Sequence, residues 1–129
     1  MFETDIPKLL VPLDATNDVP IDRTFVENFR TRDLTPLGKV IGDVLIAALP
    51  LIDTNMFFAW DPLAAIALLN PLIVECRRAT LKVITEGQDV GQTKLMSWHA
   101  HGSLKVAMRA DAARFSSLFE TAFRVSETI

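Results

Sequence analysis

The chain has 129 residues, 50% hydrophobic, 22% charged and 8% aromatic, a composition that excludes disorder and fits one globular domain. Thirteen Lys and Arg against 16 Asp and Glu leave a net charge of -3 with no basic run, which argues against nucleic-acid binding. A mean hydropathy of +0.27 is high for so short a chain and marks much of it for burial.

Residues 8–12, KLLVP, form a short apolar run that predicts a buried strand opening into a polar loop over residues 13–18. From about Pro20 to Arg30, Ile21, Phe25 and Phe29 recur every four residues beside Val26, the pattern of a short amphipathic helix. Thr35 followed by Pro36 predicts an N-cap with proline in the first turn. Leu37, Val40, Ile41, Val44, Leu45 and Ala48 then make the apolar stripe of a helix that Pro50 stops. Residues 57–60 look extended, after which Asp61 is expected to cap and Pro62 to start an almost wholly apolar helix over residues 63–69. A helix apolar on all sides belongs inside a larger body.

The last third alternates with period two. Residues 81–85 and 104–109 read as strands with one buried face, and residues 92–98 as a third strand between them. Asp111 caps a final helix striped by Phe115, Leu118, Phe119, Ala122 and Phe123. The expected class is α/β, a parallel sheet flanked by helices with a small antiparallel sheet near the C-terminus. With one good parallel strand visible, the chain reads as a piece of a larger sheet, or as an oligomer that completes one.

No apolar window reaches the ~18 residues of a membrane span, and Glu3 and Asp5 stand where a secretory signal would be positive, so a cytoplasmic protein with no membrane contact is expected. Cys76, the one cysteine, reads as a buried free thiol. Asp14, Asp18 and Asp22 are spaced by four but fail the calcium-loop pattern, since counting from Asp14 puts Val19 at the glycine position and Phe25 at the last ligand, so loop and capping duties are expected. His99 and His101 lack a third metal ligand nearby and read as solvated turn residues. Glu75, Arg77 and Arg78 read as a solvated charged stretch, and Trp98 as a cover for the small sheet.

Trp60-Asp61-Pro62 is the informative constellation. An aromatic ring beside a carboxylate, where an extended segment enters a buried helix, sets a stacking surface and a charge at the kind of element end where open α/β sheets place ligands. The local pattern alone favours a core tryptophan before an ordinary Asp-Pro helix start.

LLVPLDATNDVPI, then FFAWDPLAAIALLNP, then TLKVITEG, GQTK and LKVAMRADAARFSSLFETAF together resemble the C-terminal part of the nucleoside hydrolases, through nearly all of the chain and in the right order. A full-length member is more than twice as long. The resemblance implies a single partial domain over residues 1–129, a largely parallel sheet flanked by helices, and calcium-assisted hydrolysis of the bond between ribose and base. It implies that Asp61 is a Ca2+ ligand and Trp60 a stacking surface, and tryptophan at that position implies a purine nucleoside as substrate. Phe57 and Phe58 correspond to a loop near the substrate but read as core residues.

The aspartate-rich opening loop, which in the family supplies further calcium ligands and the base that activates water, has no counterpart here, nor has its ribose-binding segment. No catalytic residue is therefore expected in this chain, and activity would need a complementary N-terminal polypeptide. The alternative is a noncatalytic binding or assembly module, in which the half-fold buries its open edge against another subunit or a homo-oligomeric copy.

Overall fold

The computed structural model describes residues 2 and 4–125; Met1 and Glu3 of the N-terminal segment and residues 126–129 lie outside it. In chain order the elements are β1 (Lys8–Leu10), α1 (Leu13–Thr16), α2 (Arg23–Arg30), α3 (Pro36–Ala47), α4 (Leu49–Ile52) and α5 (Trp60–Leu69). A 3-10 turn (Pro71–Ile73) then leads into β2 (Val74–Val83), β3 (Thr93–His99), β4 (Leu104–Ala110) and α6 (Ala112–Phe123).

Four strands form one sheet in the order β1-β4-β2-β3. β1 pairs parallel with β4, and β2 runs antiparallel to both β4 and β3. The class is α/β, as expected, and the antiparallel strands are continuous with the parallel one. β2 begins at Val74, well ahead of the predicted start at Leu81, and takes in Glu75, Arg77 and Arg78. Its apolar residues change face along the strand, Val74 on the helix side and Ala79 and Leu81 on the other, which hides it from a period-two pattern; the register shift at Glu75 and Cys76 leaves Met108 of β4 as the extra residue. Arg77 lies 4.2 Å over the Trp98 ring, so part of the charged stretch is a cation-π cover for the antiparallel strands.

The helices pack on one face of the sheet. Val26, Leu63, Ala67, Ala107 and Phe115 are fully buried there, and Phe25, Phe29, Phe115, Phe119 and Phe123 clasp α2 to α6 with ring centroids 5.1–6.4 Å apart. Such aromatic pairs contribute about 0.5–1.5 kcal/mol each beyond their burial. The other face carries a separate cluster of Ala79, Leu81, Leu104 and Val106 with Leu10, Trp98, Met108 and Phe2 against it. No helical residue belongs to that cluster.

Capping follows the sequence at three helix starts. Asp22 accepts from the Phe25 amide at 2.7 Å, Thr35 from the Gly38 amide at 3.1 Å and Asp111 from the Arg114 amide at 2.9 Å. Elsewhere the structure departs from expectation. Residues 13–16 of the predicted loop close into the single turn α1, and Pro50 sits in the first turn of α4 after α3 has ended at Ala47. Asp61 does not cap α5, whose N-cap is Ala59. Of the apolar residues of α5, Leu63 and Ala67 are buried while Leu68 and Leu69 are 77% and 86% exposed, so the larger body this helix suits is not made by the described residues.

α3 buries a different face from the one its apolar stripe suggested. Leu37, Val40 and Val44 are exposed, and the buried positions are Gly38 and Gly42. The reason is backbone approach. Thr35 donates its amide to the Phe123 carbonyl at 2.9 Å, and a Cβ on Gly38 would stand 2.7 Å from that same oxygen. On Gly42 the nearest atom would be Arg30 Cγ at 3.4 Å, an ordinary contact. Gly38→Ala should therefore destabilise the fold by about 1–3 kcal/mol through overpacking. Gly42→Ala should be neutral or stabilise by up to ~1 kcal/mol through helix propensity. Urea unfolding of both variants checks the contrast.

Candidate functional site

Trp60 and Asp61 are positioned by a relay that starts at the sheet. Asp18, in the turn after α1, accepts hydrogen bonds from the Ala110 amide at 3.0 Å and from Arg109 Nε at 2.8 Å at the end of β4. The Ala110 amide, seconded by the Arg109 guanidinium, holds the Asp18 carboxyl below its ordinary range against the opposing effect of desolvation. With Asp18 anchored, the next residues grip the segment before α5. Val19 accepts from the Ala59 amide at 3.0 Å, the Ile21 amide donates to Phe57 at 2.9 Å, and Pro20 bridges to Phe58.

Ala59, buried at φ -77 and ψ 58, then makes an inverse γ-turn, closed by the Trp60 amide donating to the Phe58 carbonyl at 2.9 Å. Helix α5 starts there, with the Leu63 amide donating to the Ala59 carbonyl at 3.0 Å. Asp61 lies in its first turn, where a negative charge complements the helix dipole, and Pro62 costs no hydrogen bond because that turn has no intrahelical acceptor for its amides.

Trp60 is 38% exposed as a residue, and its ring is propped by Phe57 at 5.3 Å and Phe58 at 6.1 Å, both in steeply inclined contacts. Both phenylalanines are half-buried, and Phe57 packs on the main core. Asp61 is exposed, and its carboxylate forms no hydrogen bond or ion pair among the described residues. The structure thus brings an open indole and an open carboxylate to one helix start, a pairing able to stack on a flat ring and offer oxygen ligands beside it. Neither residue lines any of three cavities found elsewhere, of about 920, 420 and 450 Å³.

The remaining acidic, histidine and cysteine residues do not converge. Among the described residues no group of three His, Cys, Asp or Glu could hold a metal ion. Asp14 lies in the first turn of α1, while Asp22 caps α2. His99 bonds to Thr80 Oγ1 at 2.6 Å and Ser97 Oγ at 3.0 Å on the exposed surface of the antiparallel strands, and His101 is exposed beyond them. Cys76 is free but exposed, correcting the expectation of burial: it shares the strand face of Val74 and Arg78, in the open wall of the cavity of about 920 Å³. Desolvation by that wall raises its thiol above the ordinary range, with Lys105 opposing, so it is a poor nucleophile at neutral pH. Sequence reasoning assigned Asp18 loop duty and missed its role as an anchor, since its partners lie more than 90 residues away. No local signal could have found them.

No protein-family model matches the chain, and no curated protein matches it. Among solved structures it is similar to the purine-preferring ribonucleoside hydrolase from Gardnerella vaginalis, at 21% identity and a TM-score of 0.76 over 93% of this chain and 40% of that one. It is also similar to a plant nucleoside hydrolase, the PpNRh1 enzyme, at 20% identity and a TM-score of 0.73 over 92% of this chain and 42% of that one. The chain therefore has a nucleoside-hydrolase-like fold, and it spans 40–42% of the length of these two structures. Among the described residues no helix is long and apolar enough to cross a membrane.

The Asp18 anchor has a pH signature. A carboxylate whose pKa is depressed in the folded state contributes stability above its unfolded pKa, about 3.9, and loses it as pH falls through the lower folded value. Asp18→Asn should be less stable than the native chain by about 1–3 kcal/mol at pH 7. Denaturant titrations at successive pH values should show that gap closing below about pH 4.

Proposed function

We propose that this chain is the part of a cytoplasmic, calcium-dependent purine nucleoside hydrolase that supplies one calcium ligand, Asp61, and the base-stacking surface, Trp60. The reaction is hydrolysis of the N-glycosidic bond to ribose and free base. The observation that carries this reading is the presentation of both side chains, open and adjacent, at the start of α5 within a nucleoside-hydrolase-like fold. The fold alone would be compatible with many chemistries.

Calcium takes six to eight oxygen ligands, and Asp61 is a single unpaired carboxylate with no second ligand group beside it. The described residues do not make a calcium site by themselves, so on this reading the other ligands and the water-activating base come from outside the chain, and the chain alone is inactive. What its own residues contribute is positional. Departure of the base leaves an oxocarbenium-like sugar, and the base must be held in a fixed plane as the bond breaks. The Trp60 indole, braced by Phe57 and Phe58, offers that plane, though it can transfer no proton to the leaving group.

A noncatalytic assembly module is the second reading. It is favoured by the separation of Trp60 and Asp61 from all three cavities, which leaves the pair on an open surface.

Mixing the chain with a polypeptide carrying the family's N-terminal portion should give calcium-dependent release of purine from inosine or guanosine. Asp61→Ala should lower that turnover by more than about 100-fold, as expected for loss of a metal ligand. Trp60→Ala should cost about fivefold in kcat/KM, the equivalent of a stacking contact of ~1 kcal/mol. Turnover untouched by Asp61→Ala would reject its role, and no turnover at all would favour the assembly module.

A further inference from the structure

We infer that the free edge of β1 is the docking surface for a second polypeptide carrying the remainder of a nucleoside-hydrolase-like fold, which adds a strand parallel to β1 and lays a helix over each face of the sheet. The identity of that partner rests on the function proposed above; the location of the surface rests on the strand itself.

β1 is the terminal strand of the sheet and is paired on one side only, with β4. Lys8 donates its amide to the Ser103 carbonyl at 2.7 Å, so by alternation the Leu9 amide points away from β4, toward the open side. Edge strands are usually guarded by shortness, charge, proline or a bulge. β1 is three residues long between Pro7 and Pro12, but its outward amide at Leu9 is left open and its one charge is drawn off the edge. Its lysine turns back on itself, Lys8 Nζ reaching the Thr4 and Ile6 carbonyls at 2.5 and 2.6 Å, and the residues that follow are Leu9, Leu10 and Val11.

Consecutive residues of β1 open onto two different cavities. Leu9 lines the cavity of about 920 Å³, together with Leu68, Leu72 and Val74. Leu10 lines the cavity of about 450 Å³, together with Leu13, Leu95 and Trp98. Neighbouring side chains of a strand point to opposite faces, so the sheet is uncovered on both sides at the same edge. Leu72 and Leu13 are 78% and 63% exposed on these two sides. Parallel strands occur almost only with both faces covered by helices. A partner that brings only a strand would leave both hollows wet, whereas a unit with a parallel strand between helices fills all three places.

The two similar structures extend well beyond the part this chain matches, enough for several such units. A second copy of this chain suits the edge less well. Lys8, Arg78 and Lys105 line the larger cavity against one carboxylate, Asp5, and a two-fold pairing of β1 edges would bring two such cationic mouths together. The same charge favours a partner helix with acidic residues at its rim.

The test is co-purification and titration of the full chain with the part of the Gardnerella vaginalis purine-preferring ribonucleoside hydrolase that lies outside the matched stretch. Leu9→Pro removes the outward amide without removing a bond to β4, and Leu72→Asp and Leu13→Asp place charge on highly exposed positions over the two cavities. Circular dichroism of each variant checks that its fold is retained. Each should weaken the complex at least tenfold, while Leu37→Asp, on the exposed side of α3, should leave it unchanged. Absence of a complex, a complex indifferent to the first three variants, or self-association of this chain broken by them would each overturn the proposal. Purine release separates this from the catalytic reading. A complex with the expected variant pattern but no hydrolysis leaves the docking edge standing and removes the enzyme; hydrolysis by a complex that tolerates all three β1 and cavity variants does the reverse.

Discussion

The carboxylate of Asp18 adds a directed polar link between two parts of the chain that otherwise meet through the β1–β4 pairing and apolar contact. By accepting the Ala110 amide and the Arg109 guanidinium it fixes the turn after α1 to the end of β4, and that turn in turn holds residues 57–59 through three backbone contacts. The placement of Trp60 is thus decided by an acidic residue more than 40 positions upstream and a strand more than 40 positions downstream. Local propensity alone would leave the Phe57–Trp60 segment free to enter α5 at any angle. A single charge-assisted anchor of this kind is worth only about 1.5–3 kcal/mol, but it constrains direction where apolar burial constrains only depth.

Much of the architecture was visible in the chain before its structure. The two capping aspartates and the capping threonine, the phenylalanine stripe of α6 and the alternation of β4 each depend on residues close in sequence, and each formed as expected. What was hidden depends on distance or on irregularity. The first half of β2 sets Val74 on one face and Ala79 on the other, so its hydropathy does not alternate, and Cys76 lies on the first face beyond the reach of the helices. The face of α3 was misjudged because its tightest contact is glycine against a carbonyl, which no hydropathy pattern records. For the site, the adjacency of Trp60 and Asp61 could be read directly, yet their support by Asp18, Phe57 and Phe58 could not. Asp61 was expected to cap its helix, but the inverse γ-turn at Ala59 had already begun it.

Among the described residues, two groups of exposed apolar side chains lie on α3 and around β1. On the outer side of α3 these are Leu37, Val40 and Val44; around β1 they are Leu13, Leu68 and Leu72. They differ in kind. The α3 surface is a convex stripe with no backbone hydrogen-bonding capacity, because every amide of a helix interior is already used. The β1 surface combines concavity, apolar lining and an unpaired strand edge, which together select for a partner of regular secondary structure.

The inverse γ-turn at Ala59 also sets the rotational phase of α5. Successive residues of a helix project about 100° apart, so the indole at the first position and the carboxylate at the second leave the helix start in two fixed directions, as the outer walls of a corner do. Lengthening the turn by one residue would swing both walls by that angle and aim the ring where the carboxylate had been. Their neighbourhood in the chain is therefore a geometric specification as well as a chemical one, and the smallness of the buried Ala59 side chain is what allows the corner to be so sharp.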